Sequence, residues 1–233
     1  MQILEFQTPI MFHTSLNPKL WDGDKLQAEV RLQLLKTARE FLASLKMDKI
    51  PLRDLIITGS NTSYTYTPHS DLDLHVIVAK EEIYGGHELV DQFFDSKRRL
   101  WNNTYDVQMR GIPVEIYVED DDETVEGNAY SLLTDEWIER KDVSRETSYD
   151  DRAVKAKYRW LSREIARYLA RADDKEDISR LMDKLKNYRQ AGLDRHGELS
   201  TENLVFKALR NNGDLEKINN KKIDIVNRNL SLK

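Results

Sequence analysis

Residues 55–78 read LIITGSNTSYTYTPHSDLDLHVIV, and this stretch decides the reading of the chain. Leu52–Thr58 is a short apolar run of the kind a buried strand carries, closed by Gly59-Ser60. Residues 61–70 are polar, small or aromatic and predict a turn or short helix. Asp71–Val78 then alternates at its start, which is the strand signature. Because successive strand side chains point to opposite faces, Asp71 and Asp73 share one face with His75, and Leu72, Leu74 and Val76 share the other.

Working outward, residues 24–46 predict an amphipathic helix through Leu26, Val30, Leu34, Ala38, Phe41, Leu42 and Leu45, capped by Asp22 or Asp24 and ended before Pro51. Residues 87–102 return to helical spacing. A hairpin follows: Tyr105–Met109 and Ile112–Val118 flank the turn dipeptide Arg110-Gly111. On its second strand Ile112, Val114, Ile116 and Val118 share a face, so Glu115 and Tyr117 lie opposite. Residues 124–150 read as a segment packed on the sheet through Tyr130, Leu132, Leu133 and Trp137. Beyond that the strand signal stops. Apolar stripes predict helices over 152–172 and 175–190. Another helix is capped by Ser200 or Thr201 and stopped at Gly213, and a last one runs over about 214–229. The expectation is an α/β (α+β) domain with a mixed sheet over 1–150, followed by an all-helical, basic C-terminal domain over 151–233.

The 233 residues contain no cysteine, which excludes disulfide scaffolds, thiolate zinc sites and a cysteine nucleophile. The net charge of -5 conceals an uneven split. Residues 1–150 hold 16 Lys+Arg and 28 Asp+Glu, a net of -12, and residues 151–233 hold 20 and 13, a net of +7. No apolar run reaches the roughly 18 residues of a membrane span, and MQILEFQTPIMFH lacks a basic leader and cleavage site. A soluble, cytoplasmic protein is expected. The acidic run Glu119–Glu126 (EDDDETVE) reads as a solvated loop.

If the strands of Asp71/Asp73 and Glu115 are neighbours, three carboxylates converge outside the core. Such a cluster calls for neutralisation, and hard divalent cations with oxygen ligands supply it. Gly59 allows close backbone approach, and Ser60 offers a hydroxyl and amide to an anion. An anion cradle beside a metal-binding carboxylate cluster is the equipment of phosphoryl or nucleotidyl transfer. Asp106 is the alternative third carboxylate.

The pattern GS-NTSYTYTPHS-DLDL…VEIYV resembles the polymerase-β-like nucleotidyltransferase superfamily, whose motif is Gly-Ser, a spacer, Asp-x-Asp between apolar residues and a third carboxylate on a later strand. Ser70 before the first aspartate also fits a frequent family form. Many small members carry Arg-Gly in the spacer where this chain has Ser63-Tyr64. The resemblance implies that Asp71, Asp73 and Glu115 hold two Mg²⁺ ions, with Mn²⁺ as a substitute. It implies that Glu115 helps activate the attacking hydroxyl and that Gly59 and Ser60 hold the β/γ-phosphates of an NTP such as ATP. Pyrophosphate would then leave from an α-phosphate attacked in line.

Other residues carry two readings each. Tyr64 and Tyr66 either stack on a base or pack the spacer. His75 is either a packed residue or a neighbour of the site, and the five histidines form no ligand-spaced pair. His69 in the spacer either touches phosphate or lies in solvent. Arg159, Arg163, Arg167 and Arg171, with Lys155 and Lys157 upstream, form a basic stripe. It is either a solvated face or, opposite the acidic site, a contact for triphosphate or nucleic acid. The active site is expected in the cleft between the two domains. The acceptor is an RNA or tRNA end, a second nucleotide, or a small-molecule or protein hydroxyl. The rival to an enzyme is a non-catalytic nucleotide- or RNA-binding module.

Overall fold

In the computed structural model, the described residues are 9–47, 49–84, 87–123, 127–141 and 149–232. The first eight residues, on which the leaderless reading largely rests, lie outside them. The chain divides into an α/β unit, Met11–Arg145, and a helical unit that takes in Ile10 and the residues from Glu146 onward.

The α/β unit opens with a small ribbon, β1 (Trp21–Asp22) and β2 (Lys25–Leu26), before α1 (Ala28–Ser44). The ribbon occupies both aspartates expected as caps. Gln27 stands at the N-cap without a side-chain hydrogen bond, and Asp24 instead pairs with Arg140 at 2.8 Å. Helix α1 buries Val30, Leu34, Ala38 and Phe41 at spacings of three and four, and the chain leaves helical geometry at Lys46, where φ is +55°. Next come β3 (Leu52–Thr58), a 3₁₀ turn (Ser60–Thr62), β4 (Leu72–Val78), α2 (His87–Thr104), β5 (Gln108–Met109) and β6 (Ile112–Asp120). The β5–β6 turn places Arg110 and Gly111 at φ +53° and +82°, the paired positive angles of a tight hairpin.

The segment 124–150 departs from expectation. Residues 124–126 and 142–148 lie outside the described residues, but β7 (Ala129–Ser131) and β8 (Glu136–Glu139) are strands of the sheet rather than a cover packed on it. The sheet runs β5-β6-β4-β3-β7-β8. Among the described strands only β4 and β6 pair in parallel, which requires a crossover, and α2 provides it.

One face of this sheet closes the main core. Leu72, Leu74, Val76 and Val78 of β4 are wholly buried there, with Leu55 and Ile57 of β3 and Ile116 of β6, against α1 and α2. Each such side chain contributes about 1.5–3 kcal/mol by leaving water. This burial sets the register, because a one-residue slip would turn Asp71, Asp73 and His75 into the core. Asp120, expected in the solvated acidic run, is instead buried at the end of β6, where its carboxylate accepts the backbone N–H groups of Lys80 and Asp121 at 3.0 Å.

The helical unit contains α3 (Asp151–Arg171), α4 (Lys175–His196), α5 (Thr201–Asn211) and α6 (Asp214–Leu230). Asp150, Asp174 and Ser200 cap the first three, each accepting a backbone N–H two or three residues on. Helix α4 runs past the expected end near residue 190, carries the buried Gly192 within it, and stops at Gly197, at φ +67°. Gly213, at φ +74°, separates α5 from α6. Val154, Ile165, Ile178, Leu185, Leu204, Val205, Leu209, Ile218 and Ile225 form this unit's own core, which Ile10 joins.

Candidate metal and nucleotide site

The parallel pairing of β4 with β6 puts Asp73 opposite Glu115 and His75 opposite Tyr117, all on the face away from the core. Asp71, just ahead of β4, completes a triad in which one carboxylate oxygen from each residue lies within 4.8 Å of the other two. Two unit charges at that separation repel by about 3–4 kcal/mol at an effective dielectric near 20. A cation among them offsets that repulsion by its own attraction to each carboxylate. The donor set is three hard oxygens with no imidazole or thiolate, which fits Mg²⁺ or Mn²⁺ and disfavours zinc.

Gly59 lies against this triad. Its φ of +86° with ψ of -168° is a conformation that side chains resist, and a Cβ there would collide with Oδ2 of Asp73. The backbone at the Gly-Ser step therefore passes directly beside a triad carboxylate. Ser60 donates its hydroxyl to Ser70 Oγ at 2.6 Å, and Ser70 accepts the Thr67 amide at 2.9 Å, so the spacer is closed on itself.

Asn61 holds the spacer and was not singled out from sequence. It is fully buried and donates to the backbone oxygen of Asp71 at 2.7 Å. Its own side-chain oxygen accepts from Asn17 at 2.8 Å, and its backbone oxygen accepts from the Trp21 indole at 2.8 Å. The only trace of this in the sequence is an asparagine directly after the Gly-Ser step, where a turn residue needs no further explanation.

Behind the triad lies a polar row. Tyr117 donates its hydroxyl to Oε2 of Glu115 at 2.7 Å. Burial, then that hydrogen bond and the nearby carboxylates, push the Tyr117 phenol well above its ordinary value, so it is protonated and a donor at neutral pH. His75 stacks on Tyr117 with ring centroids 5.1 Å apart. Its Nδ1 lies 2.8 Å from Oε1 of Glu119 and its Nε2 2.8 Å from the Thr58 hydroxyl. The hydrogen bond from His75 holds Glu119 below the usual carboxylate range despite its partial burial. His75 is thus a packed residue that also adjoins the site.

The other sequence candidates fall elsewhere. Asp106 is exposed, and both its oxygens accept from Gln108, so Glu115 and not Asp106 joins the triad. Tyr64 packs against the main core, and its hydroxyl accepts from Arg140 at 2.7 Å. Tyr66 stacks on His13 at 3.7 Å. His69 is exposed. Arg159, Arg163, Arg167 and Arg171 all lie exposed along α3 in the helical unit, with Arg167 paired to Glu164.

No family model matches the chain, and no curated protein matches it. Among solved structures it is similar to the STING-associated CdnE c-di-GMP synthase from Capnocytophaga granulosa, at 13% identity over 88% of this chain and 84% of that one, with a TM-score of 0.21. A likeness this loose does not establish a shared fold. No helix among the described residues is long and apolar enough to cross a membrane.

Proposed function

We propose that the chain is a metal-dependent nucleotidyltransferase that moves an NMP from an NTP to a hydroxyl acceptor and releases pyrophosphate. The observation that carries this reading is the meeting of Asp71, Asp73 and Glu115 within 4.8 Å, directly beside a Gly-Ser step whose glycine admits no side chain.

In this reading the three carboxylates hold Mg²⁺, or Mn²⁺ in its place. The cation, when bound, offsets charge on the phosphates and lowers the pKa of an oxygen it contacts. Gly59 brings the backbone beside Asp73, and the Ser60 amide is offered to a phosphate there, its hydroxyl being held by Ser70. Glu115 accepts the proton of the attacking hydroxyl. The basic stripe of α3, including Arg159 and Arg163, contributes contacts to a polyanionic substrate, which favours an RNA end or a nucleotide as acceptor.

The test is pyrophosphate release from each labelled NTP with Mg²⁺, with and without total RNA, beside Asp71→Ala/Asp73→Ala. Release that disappears in the variant supports the transferase, and the size of the labelled product identifies the acceptor class. NTP binding with no release under any condition would replace this reading with a nucleotide-binding module.

A further inference from the structure

We infer that Tyr117 is a positioning residue for the metal site: its hydroxyl holds the Glu115 carboxylate in the orientation that a cation requires. This rests on the metal-binding reading above and assigns to it a residue that no motif marks.

Glu115 ends in a carboxylate on three rotatable bonds, on the strand next to the one that carries Asp73. Left alone it would sample several rotamers away from Asp71 and Asp73, driven by their repulsion. The Tyr117 hydroxyl takes one of its oxygens at 2.7 Å and leaves the other lone pairs to a cation. Strand period makes this pairing possible, since residues two apart share a face.

The tyrosine is itself held in place. His75 faces it across the β4–β6 register and stacks within 18° of parallel, and Thr58 and Glu119 fix the histidine ring. The Arg98 guanidinium sits over the Tyr117 ring at 5.3 Å, anchored through its own ion pair to Asp95 at 2.9 Å. The hydroxyl is therefore placed by ring contacts that do not involve Glu115. Outer partners of this kind set the orientation of metal-binding carboxylates, and their removal typically weakens metal affinity roughly ten- to hundred-fold.

The test reads metal binding directly. Mn²⁺ is titrated into the full chain without nucleotide, and free Mn²⁺ is followed by its electron paramagnetic resonance signal, for wild type, Tyr117→Phe, Glu115→Gln and the double variant. Tyr117→Phe keeps the ring and its stacking and is expected to weaken Mn²⁺ binding roughly tenfold or more, with an unchanged thermal midpoint. In the Glu115→Gln background the same change should add nothing, because Tyr117 acts through Glu115. Placing p-aminophenylalanine at position 117 restores a donor and should restore affinity. p-Methylphenylalanine fills the same volume without a donor and should not, so this pair isolates the hydrogen bond even if Tyr117→Phe fails to fold. In turnover, Tyr117→Phe should lower kcat and leave the NTP KM in place. Wild-type Mn²⁺ affinity in Tyr117→Phe, or an undiminished loss on top of Glu115→Gln, overturns the inference alone. A wild type that binds no Mn²⁺ overturns the metal site itself.

Discussion

A side chain at position 59 would have to hold φ near +86° and find room against Oδ2 of Asp73. Gly59→Ala is therefore expected to cost about 1–3 kcal/mol in backbone strain. It should also displace the Asp73 carboxylate. Chemical denaturation should show the first effect, and a Mg²⁺ titration of pyrophosphate release should show an activity loss larger than the unfolded fraction explains. An alanine variant that is destabilised but turns over normally at saturating Mg²⁺ would separate the glycine from the site. At this scale much of the triad was legible. Asp71 and Asp73 announce themselves by period-two spacing after a Gly-Ser step, and Glu115 by its apolar neighbours Val114 and Ile116. Tyr117 and Asn61 were not legible as site residues. A tyrosine on a strand and an asparagine after a glycine have ordinary explanations until the pairing of β4 with β6 brings their partners within hydrogen-bond reach.

Among the elements, the long ones with a buried face could be read and the short ones could not. β3 and β4 each present several core residues in a row, whereas β7 has only three residues and β8 exposes most of its four, so neither shows a period. The outer edge of β6 was equally hidden. Beyond the two-residue β5, its next backbone groups find partners outside any strand. Asn102 of α2 donates to the Ile116 oxygen at 3.0 Å and accepts the Ile116 N–H at 3.1 Å, one residue past Glu115. Asn102→Ala is expected to cost about 1–3 kcal/mol by leaving both backbone groups unpaired. Thermal unfolding measures that cost, and Mn²⁺ affinity reports whether β6 shifts with it. The far end of β4 makes a pH prediction. Burial opposes the charge on Lys80, but the hydrogen bond to Asp91 at 2.8 Å and the carboxylates of Glu123, Asp91 and Asp120 outweigh it, so its pKa is raised. A raised lysine contributes its stability fully below the ordinary value near 10.5 and loses it as pH climbs through the folded value. Lys80→Met should accordingly flatten the alkaline limb of the stability profile between pH 10 and higher values, as followed by urea midpoints.

Taken as a whole molecule, the chain assigns its two excess charges to different structures. The acidic excess of residues 1–150 is only partly accounted for by the triad. Glu119, Asp120 and Asp121, which looked like plain solvated acid, are used in the bonds of Glu119 to His75, Asp120 to the Lys80 backbone and Asp121 to Arg53. The basic excess of residues 151–233 includes a row of exposed arginines on α3. Exposed like charges at four-residue intervals mildly destabilise a helix, and the proposed function gives the row a polyanionic substrate to hold. Arg159→Ala/Arg163→Ala should leave thermal stability within about 0.5 kcal/mol, as surface changes do. If the acceptor is RNA, the same variant should weaken binding of a single-stranded RNA oligonucleotide, and it should lower the slope of log affinity against log salt by about one per arginine removed. Fluorescence anisotropy across a KCl series measures both quantities. An acceptor that is a small uncharged hydroxyl compound predicts no RNA affinity and no such slope. That pattern would leave the metal triad standing and remove the polyanionic acceptor from the proposed reaction.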